Sequence, residues 1–255
     1  MKREKARTGT RTEGEGGSEA AFLARYDASK FPRPSVAVDV ALLSTGPRGL
    51  NTLVVRRAAH PFKGRWSLPG GFVGLNESLD AAAARVLARG TGLRGVFLEQ
   101  LYTFGAPRRD PRTRVISVAY YALVDPARFA GGAAVNAARI VVPWEGETGG
   151  PVDLEDEAGR ALPLAFDHDD ILGMAVKRLR GKLDYTPVGF QLLPERFTLL
   201  DLQRVHETVL GRALNKDSFR RRMLASGLLE ATGEAQKDVD HRPAELYRFV
   251  KRSAT

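Results

Sequence analysis

The stretch whose reading decides the fold runs from Trp66 to Leu93: WSLPGGFVGLNESLDAAAARVLARGTGL. It opens on a short apolar segment, breaks at Pro69-Gly70-Gly71 and crosses a polar loop. Leu79 to Ala88 then reads as a helix, Ala-rich with Leu79, Ala83, Val86 and Leu87 on one side. Glu77 stands before this helix and Arg85 within it. Positions 86, 89 and 90 are spaced i, i+3 and i+4 and so share one face. They hold Val86, Arg89 and Gly90.

This spacing resembles the Nudix box: Gly, five residues, Glu, seven residues, Arg-Glu-aliphatic-any-Glu-Glu-any-Gly-aliphatic. Gly71, Glu77, Arg85, Leu87, Gly92 and Leu93 fall on the pattern. The three glutamates that follow the Arg do not, since Val86, Arg89 and Gly90 take their places. In the family that face gathers carboxylates around Mg²⁺, which needs hard oxygen ligands. The resemblance implies that an isopropyl group, a guanidinium and a hydrogen cannot hold the metal. It also implies a structural role for Glu77 and Arg85, tying loop to helix. The expectation is no catalytic residue, no metal and a fold that holds a ligand without cutting it.

Around this segment the chain is strand-like. Val36, Val38, Val40 and Leu42 alternate with Ala37, Asp39 and Ala41; Leu53 to Arg57 forms a second apolar run beyond the turn Gly46-Pro47-Arg48-Gly49. Val115 to Val124 is strongly β-prone, Ile140 to Pro143 is a further short strand, and Gly146 to Gly159 reads as an acidic loop. The expected fold is α+β: a Nudix-like α/β/α sandwich over 31–165, preceded by a flexible tail at 1–30. Asp167 begins a helix with acids in its first turn and Lys177, Arg178, Arg180 and Lys182 in its last, an order that suits the helix macrodipole. It is expected to connect two domains across 166–194.

From 195 to 255 the grammar changes. Thr198 to Asp201 is a capping-box-like start for a helix that ends at Gly211. Asn215 caps a second helix, ending at Gly227, and two β-prone runs follow. Two helices joined by a short turn and followed by a hairpin are a winged helix-turn-helix. The second helix carries Lys216-Asp217-Ser218-Phe219-Arg220-Arg221-Arg222, a strong local concentration of charge with four positive residues against one negative. In this motif the second helix enters the major groove, where Arg pairs with guanine. Lys216, Ser218, Arg221 and Arg222 are the expected DNA contacts, with Arg242 on the wing.

The bulk numbers fit. The chain has 255 residues, a net charge of +9 and no cysteine. The charge favours a polyanionic partner, and the missing cysteine excludes disulfides and thiolate metal sites. No apolar run approaches the ~20 residues that span a bilayer, and no signal-like segment opens the chain. A cytoplasmic protein with no membrane partner is expected.

The order of PRPSVAVDV, FKGRWSLPGGFV, FDHDDIL and LLPERFTLLDLQ…FRRRML…HRPAELYRF resembles the Nudix-related transcriptional regulators of the NrtR type, from about Tyr26 to Phe249. The resemblance implies an inactive Nudix domain that senses ADP-ribose or a related nucleotide, with no required cofactor. It implies a winged helix on a palindromic double-stranded DNA operator, a homodimer, and control of NAD or sugar metabolism. By position Arg57, Gly70, Gly71 and Phe72 line the expected ligand cleft, and Phe104 or Tyr102 stacks on a base. Two other readings stand beside it. One is an active hydrolase whose metal ligands have moved to Asp153, Glu155, Asp156 and Glu157; the other is an RNA-associated module.

Overall fold

The computed structural model describes residues 18–129, 136–183, 186–237 and 243–250. The chain divides into two compact units, up to Arg33 and from Pro34 onward. The first holds α1 (Glu19–Arg25), whose N-terminus is capped by Ser18 Oγ accepting from the Ala21 N–H. The described part of the stretch expected to be a tail is therefore partly helical. None of α1 is buried, and the Tyr26 ring contacts both Phe22 and Phe31.

In the second unit β1 (Ser35–Gly46), β2 (Gly49–Arg56), β5 (Phe97–Phe104), β6 (Val115–Leu123), β7 (Asn136–Val141) and β8 (Asp153–Glu155) form one sheet in the order β5-β6-β1-β2-β7-β8. The short β3 (Trp66–Ser67) pairs with β2, and β4 (Gly70–Phe72) pairs with β1. β1 and β6 run parallel, from Ser35 opposite Val115 to Leu43 opposite Leu123. β8 lies inside the expected acidic loop, because Leu154 between two acids supplies one buried contact while both neighbours face outward.

Alternation along β1 sends side chains to two cores. Val38, Val40 and Leu42 pack with Ala82, Ala83, Val86 and Leu87 of α2 (Leu79–Thr91). Ala41 and Leu43 face the opposite side and join a core built on α3 (His168–Lys182), through Ile171, Leu172, Ala175, Val176 and Leu179. The helix expected to connect two domains is thus the second helical layer of the sandwich. Its apolar positions recur at i, i+1, i+4, i+5 and i+8, a pattern that buries one stripe against a sheet.

The same core continues into the C-terminal part. α4 (Leu199–Leu210) contributes Leu202, Val205 and Val209; α5 (Lys216–Ala225) contributes Phe219 and Met223. The capping box forms: the Asp201 N–H donates to Thr198 Oγ and the Thr198 N–H to Asp201 Oδ2. Glu207 closes the interhelical turn by accepting from the Leu214 N–H at 2.8 Å and from Gln203 at 2.9 Å. β9 (Leu229–Ala235) and β10 (Glu245–Phe249) make the hairpin, and Phe197 exchanges two backbone hydrogen bonds with Tyr247 of β10. The architecture is an α/β/α Nudix-like sandwich followed by a winged helix-turn-helix.

Candidate functional site

A cavity of about 230 Å³ opens where β1, β4 and the start of α3 converge, with Arg57, Gly70, Gly71 and Phe72 in its wall. Gly70 is there for close approach: a Cβ on it would stand 2.1 Å from Asp39 Oδ1 and 3.0 Å from the Val38 carbonyl oxygen. Below it lies a buried ionic network. Asp39 accepts from Ser117 Oγ at 2.6 Å and from Arg109 at 3.4 Å, and His168 Nε2 stands 3.6 Å from it. Arg109 also donates to Asp167 at 2.8 and 2.6 Å. Burial pushes the Arg109 guanidinium down, but its bonds to Asp167 and Asp39 hold it above its ordinary range. His168 Nδ1 accepts the Leu68 N–H at 2.9 Å. Burial depresses the imidazole, against the pull of Asp39 and Asp167, so it is held neutral.

The wall holds three guanidinium groups in different states. Arg109 is occupied as above, and Arg112 is paired with Asp110 at 2.7 Å and lies over the Phe72 ring. Arg57 donates to the Pro61 carbonyl at 2.8 Å and sits 4.7 Å over the Phe166 ring. Among the described residues no carboxylate pairs with Arg57. Burial and then the neighbouring Arg112 lower it, outweighing Asp110 and Asp39. Phe166, at the cavity edge, adopts φ 58°, which is uncommon for a side chain of this size.

The degenerate box sits behind this wall. Val86 is buried, and a Cβ on Gly71 would lie 3.3 Å from its Cγ1. A Cβ on Gly90 would meet Pro69 Cβ at 3.0 Å, so the glycine lets α2 lie against the LPGG turn. Arg89 is exposed. Glu77 and Arg85 form a two-bond pair at 2.5 and 2.9 Å; Glu77 also accepts the Gly74 N–H, and Arg85 donates to the Phe72 carbonyl. Arg85, then the Gly74 N–H, draw the Glu77 carboxyl down to about 2. The pair binds loop 72–77 to α2.

Phe104 is not in this cavity. It lines a neighbouring apolar depression of about 530 Å³, and Arg109 lines both. Its ring meets Tyr102 edge to face, and Tyr102 is exposed. Asp153, Glu155, Asp156 and Glu157 also lie outside the cavity wall. Glu155 pairs with Arg139 at 2.6 Å, and Asp156 accepts from Arg160 and two loop N–H groups. Sequence reasoning missed Asp39, Arg109, Arg112 and His168. A signal was present in FDHDDIL, where four polar residues, Asp167 to Asp170, open an otherwise apolar-striped helix.

On the winged helix, Phe219 and Met223 anchor α5 while Lys216, Ser218, Arg221 and Arg222 are exposed. At 100° per residue Arg221 points opposite the Phe219–Met223 face. Arg222 lies on the flank, its guanidinium 5.7 Å over the Phe219 ring. Arg242 lies outside the described residues. No helix among the described residues is long and apolar enough to cross a membrane.

Residues 33–151 match the NUDIX domain model and residues 189–249 the NrtR DNA-binding winged helix domain model. An ADPR responsive transcriptional repressor, NtrR, of Acinetobacter baylyi is 40% identical over 235 residues, 91% of this chain and 89% of its own. The crystal structure of Shewanella oneidensis NrtR complexed with a 27mer DNA is 34% identical, covering 84% of this chain and 93% of that one, with a TM-score of 0.68. A MutT/nudix family protein from Enterococcus faecalis superposes with a TM-score of 0.73 at 27% identity, over 92% of this chain and 94% of that one. With a relative so alike over almost its whole length, and with both halves matched in order, the chain belongs to the NrtR family of Nudix-related transcriptional regulators.

Proposed function

We propose that this chain is an ADP-ribose-responsive transcriptional repressor that does not hydrolyse its effector. The observation that carries this reading is one chain holding both halves: a cationic cavity on a box without its carboxylates, and a winged helix with an exposed basic face. The kinship to an ADPR responsive repressor and to a DNA-bound NrtR supports it. Arg57, Gly70, Gly71 and Phe72 take the diphosphate region of the ligand, with Arg112 beside them. Lys216, Ser218, Arg221 and Arg222, with Arg242 of the wing, contact the operator. The sensing half extends past 165 to the end of α3, since that helix supplies one layer of its core.

Metal-assisted cleavage of a diphosphate relies on ions that neutralise developing charge. In this chain the three positions offer one buried valine, one exposed cation and one glycine pressed on Pro69, so the cavity binds and releases its ligand unchanged. The protein acts in the cytoplasm as a homodimer, because one module reads too few base pairs for useful specificity and two on a two-fold axis read a palindrome. The test is to titrate duplex fragments from upstream of its own gene with and without saturating ADP-ribose. Operator affinity that ADP-ribose changes by ~5–150-fold is the expected result; an affinity that ADP-ribose leaves untouched would overturn the reading.

A further inference from the structure

Resting on that reading, we infer that Arg180 is the positioning residue through which the filled cavity alters the winged helix, and that α3 is the rod between them.

The two ends of α3 stand in different places. Its first turn belongs to the cavity: Asp167, at the N-cap position, holds Arg109 with its carboxylate, and His168 reaches Leu68 and Asp39. Twelve residues on, ~18 Å along the axis, Arg180 lies at the winged helix. It is 6% exposed. Its Nε donates to the Val209 carbonyl in the last turn of α4 at 2.8 Å. Its Nη1 donates to the Trp144 and Gly146 carbonyls, at 3.3 and 3.0 Å, and its guanidinium lies over the Trp144 ring. One side chain thus joins α3, α4 and the loop after β7.

Between the ends the rod cannot bend freely. Ile171, Leu172, Ala175, Val176 and Leu179 have no exposed surface. A close-packed stripe transmits a shift of one end to the other, because it has no empty space to absorb it. The far end is looser. Among the described residues no carboxylate pairs with Arg180; three carbonyl dipoles hold it, one from the negative end of the α4 macrodipole. Beside it lies a cavity of about 750 Å³ walled by Trp144, Glu145, Thr208, Gly211 and Arg212. The α4 end therefore has both an exchangeable attachment and room to move.

The input is electrostatic. A diphosphate entering beside Arg109 competes with Asp167 for the same guanidinium. Asp167 lies at the junction between α3 and Phe166, whose φ of 58° marks a backbone held in a sparsely populated region. Re-seating Asp167 moves the first turn of α3, and Arg180 carries that movement to Val209.

The experiment measures ADP-ribose affinity with and without the upstream operator duplex, for wild type, Arg180→Lys and Arg180→Met. Lysine keeps the charge but lacks the planar fork that spans three carbonyls. The expected result is an unchanged ADP-ribose affinity without DNA, within twofold, and a coupling factor that falls from ~5–150-fold to near one in both variants. Wild-type coupling in both variants would overturn the role of Arg180. A wild-type factor of one would remove the repressor reading itself, and with it the inference. A second measurement needs no variant: ADP-ribose should change amide hydrogen exchange at 144–146 and 209–211 in the wild-type chain. Unchanged protection at both segments while the cavity is saturated would also overturn the inference.

Discussion

Arg109 donates two hydrogen bonds to Asp167, at 2.8 and 2.6 Å, while the same guanidinium lies 3.4 Å from Asp39. One buried cation therefore ties a loop, the central strand β1 and the first turn of α3 into a single cavity wall. Removing it leaves two carboxylates close together without their counter-charge. Breaking a buried pair from one side typically costs about 3–5 kcal/mol. Arg109→Ala is expected to lose stability of that order in urea denaturation, and to bind ADP-ribose poorly even where it remains folded.

Arg57 is a different case. It is not committed to a carboxylate among the described residues, so its loss removes an anion contact without stranding a charge. Arg57→Ala is expected to melt within a few degrees of wild type and to lose the thermal shift given by ADP-ribose. A ligand at 100 times its dissociation constant stabilises the folded state by ~2.7 kcal/mol, which calorimetry resolves readily. A full shift in the variant would take Arg57 out of the site.

The box makes two predictions that pull together. ADP-ribose with Mg²⁺ should release no AMP above a blank, far below the ~1 s⁻¹ of an ordinary enzyme. Restoring the family carboxylates should not revive cleavage. Val86→Glu places a charge at a buried position, at a cost of several kcal/mol, and Gly90→Glu drives a Cβ to 3.0 Å from Pro69. Both are expected to lower the melting temperature while Arg89→Glu, at an exposed position, leaves it unchanged.

The Glu77–Arg85 pair sets an acid limb of stability. The Glu77 carboxyl sits at about 2 in the folded chain against an ordinary 4.5. A depressed carboxylate contributes its stability in full above the unfolded value and loses it as pH falls from about 4.5 through about 2. Glu77→Gln is therefore expected to melt below wild type at pH 7 and to converge with it near pH 2. His168 acts in the same direction higher up. Burial lowers it from 6.5, so its contribution is full above that pH and declines as pH falls below it.

Much of this was legible locally. The alternation of Val38, Val40 and Leu42, the caps at Thr198 and Asn215, and the box spacing are short-range signals, and each element they announce is present. The resemblance implied Gly70 and Gly71 at the ligand cleft, and both line the cavity. What escaped was long-range. Arg109 and Asp167 are 58 residues apart, and a separation of that length leaves no local sign that the two pair. Arg109 lines both that cavity and the neighbouring depression that holds Phe104. The charge order of α3 satisfies the helix dipole and so suits a connecting helix equally well. Its stripe from Ile171 to Leu179 shows that it packs on the sheet.

The basic helix α5 separates two arginines that the sequence left equivalent. Arg221 points away from the Phe219–Met223 anchor, whereas Arg222 lies over the Phe219 ring. A side chain aimed straight out from a groove-facing helix reaches base edges, and one on the flank reaches backbone phosphates. Arg221→Ala is expected to cost ~1–3 kcal/mol on the cognate operator and to relax preference at one base position. Arg222→Ala and Arg242→Ala should weaken all sequences alike and reduce the slope of log affinity against log salt by about one each. Binding measured across a salt series on the operator and on single-base variants separates these outcomes. Equal losses on every duplex for Arg221→Ala would move the base-reading role to another residue of the helix.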